Sequence, residues 1–249
     1  MLPAAAFDAA IFDLDGVVTD TASVHARAWT EIFDGFLGRR AGDASEDRRP
    51  FTHDDYLAYV DGRPRRDGVT AFLAARGIEA DDAQVDALAE RKDSRFRDLL
   101  DREGVRVFDS TVRLIGELRS RGVPSAIVSS SRNCSAVLAA AGLSDTFEVQ
   151  VDGVDAALLG LPGKPDPAIF LEASRRLGVN PDHTLLVEDA TSGVRAGRRG
   201  DYATVIGIDR GGHAEALWDA GADEVVSDLG EVVLQDDLSP LSSQVRVQP

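Results

Sequence analysis

Asp13 and Asp15 stand two residues apart in Phe12-Asp13-Leu14-Asp15-Gly16, straight after the apolar run at 9–12, and a glycine then turns the chain. Carboxylates that leave a buried strand at the carboxyl edge of a parallel sheet face the crevice where ligands bind. The same pair could instead cap a helix or close a turn, so the rest of the chain has to decide. Three later segments are also expected to end sheet elements in polar groups. Ser129 follows 125–128, Lys164 lies in Gly163-Lys164-Pro165-Asp166, and Glu188-Asp189 follow 184–187. Strand ends converge in a doubly wound sheet. Gathered carboxylates repel one another unless a divalent cation neutralises them, and hard oxygen donors suit Mg2+. Asp13, Glu188 and Asp189 are therefore candidate metal ligands.

A carboxylate that attacks a phosphate dianion meets repulsion of about 4 kcal/mol per pair of unit charges at about 4 Å when the effective dielectric constant is near 20. A metal and a lysine offset that repulsion and stabilise charge on the transferring group. Lys164 supplies a compact positive charge and Ser129 a hydrogen bond to a phosphate oxygen. Asp13 could then form an aspartyl-phosphate, with Asp15 placed to exchange a proton with the attacking or leaving oxygen.

The elements that must position these groups follow from periodicity. A strand is predicted over 7–12, then a helix after Asp20, where Val24, Ala28, Trp29, Ile32 and Phe33 recur at spacings of three and four. Residues 35–50 read as a loop. Helical pattern returns at 54–60, at 68–75 with Gly77 as a stop, and at 81–100, where Val85, Leu88, Phe96 and Leu99 share a face. No strand pattern occurs between 21 and 103. Beyond Gly104, strands at 125–129, 184–187, 203–208 and 224–226 alternate with helices at 112–121, 134–141, 166–177 and 192–199, the pattern of a parallel sheet with crossover helices. The expected fold is α/β: a doubly wound, Rossmann-like core of residues 1–20 and 105–249 with an α-helical cap of residues 21–104 inserted after the first strand. Hinges are expected near 19–23 and 102–109, and a loosely ordered tail over 235–249.

A length of 249 residues allows one large or two modest domains, and a formal charge of -16 argues against nucleic acid and against an anionic membrane surface. The single cysteine, Cys134, excludes an intrachain disulfide, fits a reducing compartment and reads as a packing residue. No basic segment opens the chain, and no run approaches the roughly 18 apolar residues of a membrane span, so a cytoplasmic protein is expected. His53, His183 and His213 lack ligand spacing and read as surface residues.

The four segments Phe12-Asp13-Leu14-Asp15-Gly16-Val17, the strand ending in Ser129, Gly163-Lys164-Pro165, and Glu188-Asp189-Ala190 with Gly193 resemble the four ordered motifs of the haloacid dehalogenase (HAD) superfamily of phosphotransferases. The helical insertion, with Thr19, His25 and Trp29 at its start, resembles the β-phosphoglucomutase-like subgroup. The resemblance implies that Asp13 is the nucleophile, Asp15 the general acid and base, and that Mg2+ is held by Asp13, the backbone carbonyl of Asp15, Glu188 and Asp189. It also implies a second anion site. There Arg65, in Asp61-Gly62-Arg63-Pro64-Arg65-Arg66, and Ser131-Arg132-Asn133 receive the phosphate that is not transferred, with Arg132 where the subgroup has lysine. Lys92 matches a position facing the sugar, His25 and Trp29 lie one helical turn apart and face the same way, and Thr19 falls at the moving linker. One departure is Asp61, where some of these proteins carry lysine. The function so implied is Mg2+-dependent interconversion of a hexose 1-phosphate and 6-phosphate, most simply the β-D-glucose pair, by way of an aspartyl-phosphate and a 1,6-bisphosphate. A phosphatase of a small sugar phosphate on the same site is the alternative, and a non-enzymatic phospho-acceptor module a remote one. A monomer whose partner is a small-molecule sugar phosphate is expected.

Overall fold

The computed structural model describes residues 2–3, 7–40 and 46–235. Six short strands form one sheet: β2 (Ala9–Asp13), β3 (Ser125–Val128), β4 (Val149–Val151), β5 (Thr184–Glu188), β6 (Thr204–Ile208) and β7 (Glu224–Val226). All neighbours are parallel, in the order β4-β3-β2-β5-β6-β7. A separate parallel pair joins β1 (Leu2–Pro3) to β8 (Leu234–Gln235). Every residue of β2, β3 and β5 is buried, as expected of strands covered on both faces.

Alternation along those strands divides the core in two. Ala10, Phe12, Ile127, Leu185, Val187, Ile206 and Ile208 join one hydrophobic cluster, while Ile11, Ala126, Val128, Leu186 and Val205 join another. Helices α5 (Asp109–Ser120) and α6 (Cys134–Ala140) pack on the first cluster. Helices α8 (Ala168–Leu177), α9 (Thr191–Arg199) and α10 (Ala214–Ala220) pack on the second. The sheet is thus doubly wound, and the strand order reverses at β2: β3 and β4 lie to one side, β5, β6 and β7 to the other. The ligand crevice of such a sheet opens at that switch point, where Asp13 and Asp15 leave β2.

Between β2 and β3 the described chain is helical: α1 (Thr21–Leu37), α2 (His53–Asp55), a π-helical turn at Tyr56–Val60, α3 (Arg65–Ala75) and α4 (Asp82–Glu103). These segments bury a third cluster around Phe33, whose ring lies 4.1 Å from Phe72 and 4.9 Å from Trp29. Val24, Ala28, Phe96, Leu99 and Leu100 of α1 and α4 reach instead into the sheet's first cluster. The two connections to the sheet pair with each other. Thr19 bridges Val107 in antiparallel fashion, Asp20 N donates to Arg106 O (2.8 Å) and Phe108 N to Val18 O (3.0 Å).

Several boundaries differ from expectation. Helix α1 carries through Gly35 to Leu37, and Thr21–Ser23, placed at a hinge, already form its first turn. Helix α3 starts at Arg65, with Pro64 as its N-cap. Helix α8 starts at Ala168, whose amide donates to Asp166 Oδ1 (2.9 Å). Strand β4, α7 (Gly153–Leu159) and α10 were not anticipated; three to seven residues are too few to show a period. The expected loop residues 41–45 and the tail residues 236–249 lie outside the described residues. Among the described residues no helix is long and apolar enough to cross a membrane.

Candidate active site

Register brings the polar ends of the strands together, except that Lys164, expected at the end of a sheet segment, comes from the connection between α7 and α8. Phe12 pairs with Val187 and Asp13 with Val128, so Glu188 and Ser129, each the next residue, arrive beside the acidic turn. Asp13 Oδ2 accepts the Asp15 amide (2.9 Å), and its Oδ1 accepts from Lys164 Nζ (2.5 Å). Lys164 also bonds Glu188, whose other oxygen accepts the amides of Asp189 (2.9 Å) and Ala190 (2.8 Å). Two glycines make this approach possible. A Cβ on Gly16, at φ +86°, would sit 1.7 Å from Asp189 Oδ2, and one on Gly193 would sit 1.8 Å from Glu188 Oε1.

Asp13, Glu188 and Asp189 each offer an oxygen within 4.8 Å of the others. Burial drives the Asp13 carboxyl well above its ordinary pKa; Glu188 and Asp15 add to the rise, and Lys164 opposes it. Asp189 is raised for the same reason, burial first, then the charges of Asp61, Glu188 and Asp13. Two buried carboxylates and the half-buried Asp189 against one ammonium leave an excess of negative charge on hard oxygen donors. That donor set fits a divalent cation such as Mg2+.

Asp15 is held differently. Its Oδ1 accepts from Thr21 and lies 3.4 Å from His25 Nε2, and its Oδ2 accepts from Ser129 Oγ (3.1 Å). Burial opposes its charge, but His25, Thr21 and Ser129 together keep it well below the usual carboxylate range. His25 stacks on Phe96 at 4.0 Å, and its Nδ1 contacts Lys92 Nζ. Lys92 is buried beside the Trp29 ring (5.0 Å), and burial lowers its pKa from 10.5 to about 7. The unfolded chain then binds more protons than the folded one between those values, so stability rises with pH across that window. The melting temperature of the wild type should climb more between pH 7 and 9 than that of Lys92→Met; parallel profiles would contradict this placement.

Across the cavity, α3 presents Arg65 and the β3–α6 turn presents Ser131. Ser131 N donates to Ser129 Oγ (3.0 Å) and Asn133 N to Ser131 Oγ (3.1 Å). Asp61 is fixed through its backbone, since Ser192 Oγ donates to its carbonyl (3.2 Å) and Ser130 Oγ to that of Gly62 (3.0 Å). Burial, with the charge of Glu188 nearby, pushes the Asp61 carboxyl up to about 6, and the Tyr56 hydroxyl bonds it. The cavity between these groups is small, about 50 Å3, and is lined by Asp13, Asp15, Glu188, Asp189 and Lys164, by His25, Trp29, Arg65 and Lys92 from the helices, and by Ser131. A neighbouring cavity of about 470 Å3 shares Arg65, Ser130 and Lys164 and is lined by Arg132 as well.

Not every residue singled out in the sequence lines the small cavity. Thr19 is fully buried behind it, its Oγ1 on Leu14 O (3.2 Å) and Thr21 Oγ1 (3.0 Å). Ser129 is fully buried beneath Asp15, Arg132 is exposed, and Asn133 is buried with its amide on Asp93 Oδ1 (2.7 Å). Cys134 is buried in the core, where desolvation pushes its thiol pKa up. His53 and His183 are exposed. His213, expected on the surface, is half-buried. The Gly211-Gly212 turn, whose amides bond Asp209 Oδ1, folds it inward until Nε2 lies 3.1 Å from Asp189 O. Tyr56, Thr21 and Asp93 escaped notice in the sequence. For Thr21 the signal was its place at the start of the helix following the acidic turn; Tyr56 and Asp93 carry none that a single chain reveals.

A haloacid dehalogenase-like hydrolase family model matches residues 7–201, and the chain belongs to that family. Within it the chain is similar to β-phosphoglucomutases. The β-phosphoglucomutase of Mycobacterium bovis is 44% identical over 238 residues, spanning 90% of this chain and 91% of that one. The solved structure of β-phosphoglucomutase from Clostridium difficile superposes with a TM-score of 0.74 at 25% identity, covering 91% of this chain and 93% of that one. A trehalose-phosphate phosphatase of Mycobacterium leprae is 37% identical over 131 residues, 51% of this chain and 29% of that one.

Proposed function

We propose that this chain interconverts β-D-glucose 1-phosphate and glucose 6-phosphate through an aspartyl-phosphate on Asp13 and a 1,6-bisphosphate, with Mg2+ as cofactor. The observation that carries the reading is that one cavity has the Asp13, Asp15 and Lys164 cluster on the sheet side and Arg65 and Lys92 on the helical side. A sugar with a phosphate at each end needs both. The M. bovis relative supports the same choice.

Residues 21–104 act as a cap over a core formed by 1–20 and 105–249. A cavity of about 50 Å3 is far below the roughly 300 Å3 and upward of ordinary ligand pockets. The arrangement is therefore the closed one, and the cap opens to admit substrate. Closure excludes water and favours a sugar hydroxyl as acceptor.

In the cycle, ionised Asp15 removes the proton from the 6-hydroxyl of glucose 1-phosphate as that oxygen attacks the phosphorus of phospho-Asp13. The bond between Asp13 and phosphorus breaks, giving the bisphosphate and free Asp13. After the bisphosphate reverses its orientation, Asp13 attacks the 1-phosphoryl group. The bond from phosphorus to the O1 oxygen breaks, and Asp15 returns its proton to O1, leaving glucose 6-phosphate and phospho-Asp13. Lys164 and Ser129 stabilise charge on the transferring group, and Arg65, with Ser131 and Asn133, holds the other phosphate. Mg2+ held by Asp13, Glu188, Asp189 and the carbonyl of Asp15 would offset the repulsion between carboxylate and phosphate dianion.

The phosphatase reading, with water as acceptor, draws support from the trehalose-phosphate phosphatase relative. Protein given Mg2+, β-glucose 1-phosphate and a trace of glucose 1,6-bisphosphate separates the two. Glucose 6-phosphate is the expected product; free phosphate without isomerised sugar would reject the mutase. Arg65→Ala should raise KM for the bisphosphate about tenfold or more, the loss of one charge-assisted contact, while a simple aryl phosphate is processed as before. Equal losses on both would remove the second anion site.

A further inference from the structure

Arg65, the guanidinium that the proposed function gives to the distal phosphate, already has a partner. Asp93, one residue past Lys92 on α4, is buried, with 5% of its surface exposed. Its Oδ1 takes both Arg65 Nη1 and Asn133 Nδ2, the latter at 2.7 Å, and its Oδ2 takes Arg97. Arg97 Nε also donates to Asn133 Oδ1 (3.2 Å). A single carboxylate thus ties the first residue of α3, the N-cap of α6 and the next turn of α4 together. Burial works against its charge, yet Asn133 and the two arginines hold the carboxyl below its ordinary pKa, so it is an anion at neutral pH.

We infer that Asp93 is a built-in occupant of the second anion site, and that a phosphate monoester dianion takes Arg65 and Asn133 by exchange with it. The inference rests on the reading that those two groups receive the phosphate that is not transferred. A phosphate sharing Arg65 with Asp93 would place like charges side by side in a desolvated site, which is costly. Exchange avoids this, and Arg97 keeps the released carboxylate paired. The two guanidinium groups and one carboxylate leave a net charge of one positive unit before ligand arrives. A dianion can outbid the resident monoanion, whereas a ligand with one charge gains little and a neutral sugar nothing. Asp93 therefore selects for doubly charged phosphate esters and holds down their affinity, so that the bisphosphate can leave and return reversed.

The test is equilibrium titration with glucose 1,6-bisphosphate in an Asp13→Asn background, where phosphoryl transfer is blocked. Adding Asp93→Asn should tighten binding about tenfold, the effect of removing one nearby like charge, and a further Arg65→Ala should abolish the gain. Binding that is unchanged or weaker in Asp93→Asn would make Asp93 a scaffold for Arg65 and overturn the exchange. No binding even before Asp93 is altered would overturn the second anion site along with it. Should Asp93→Asn fail to fold, a crystal structure of Asp13→Asn alone with the bisphosphate decides. Arg65 and Asn133 on the phosphate, with Asp93 on Arg97 only, is the expected result; Asp93 still bonded to Arg65 overturns it.

Discussion

Lys164→Met should lower stability by about 3–5 kcal/mol in Mg2+-free buffer at neutral pH, the usual cost of removing one partner from a buried ion pair. The lysine side chain is 1% exposed and bonds both Asp13 and Glu188. Burial disfavours its ammonium, but those two carboxylates raise its pKa above the ordinary lysine value. Without it, Asp13, Glu188 and Asp189 face one another with no cation among them. Two treatments should therefore rescue the variant: acid, which protonates the carboxyls, and Mg2+, which neutralises them. The measurement is the melting temperature at pH 5 and pH 7.5, with and without Mg2+. A deficit that ignores both would mean that Lys164 acts by packing over the Phe170 ring, 4.7 Å away, and not by charge. Turnover should fall about 100-fold or more, since the variant loses a preorganised positive charge at the transferring group.

Asp13→Asn should have the opposite effect on stability and a larger one on catalysis. Turnover should drop by at least about 10^4-fold, as expected when the proposed nucleophile is removed, and no phosphorylated protein should be detectable by intact mass. Yet the fold already disfavours the charge this substitution removes. A carboxyl whose folded pKa is raised binds a proton more readily folded than unfolded, so stability falls as pH rises from the ordinary carboxyl range through the raised value. Asparagine is exempt. In Mg2+-free buffer at neutral pH the variant should melt above the wild type, the gap should close toward acid pH, and Mg2+ should stabilise the wild type more than the variant. A variant that melts lower throughout would show that the bond from Lys164 outweighs the repulsion from Glu188 and Asp15.

The groups at the strand ends were legible in the sequence because each follows an apolar run directly. Once β2, β3 and β5 pair in parallel, the positions of Asp13, Ser129 and Glu188 follow from register. The helical insertion was legible from its three-and-four spacing. Charge on the buried face of α4 was harder to read. Val85, Leu88, Lys92, Phe96 and Leu99 form one buried stripe. A lysine there breaks the apolar pattern, so the resemblance pointed to it where periodicity could not, and its burial shows only once His25 and Trp29 are seen beside it. Asp93 is harder still, because Arg65 and Asn133 are remote in sequence and no local spacing announces them. His213 failed for a different reason. Its place depends on a glycine turn folding back on Asp209, which periodicity does not encode. Strand β4 is a matter of length, since three residues paired only along β3 leave no alternation to detect.

The pairing of Thr19 with Val107, reinforced by the bonds from Asp20 to Arg106 and from Phe108 to Val18, limits how the helices can travel. Two separate tethers would let them roll, slide and swing. A short antiparallel ribbon flexes readily across its width but resists shear, because shear breaks its cross-strand bonds. The opening proposed above would thereby be reduced to a single swing about that ribbon. Lengthening either crossing alone would put the two strands out of step, so an insertion at one of them should be tolerated only when matched by another at its counterpart.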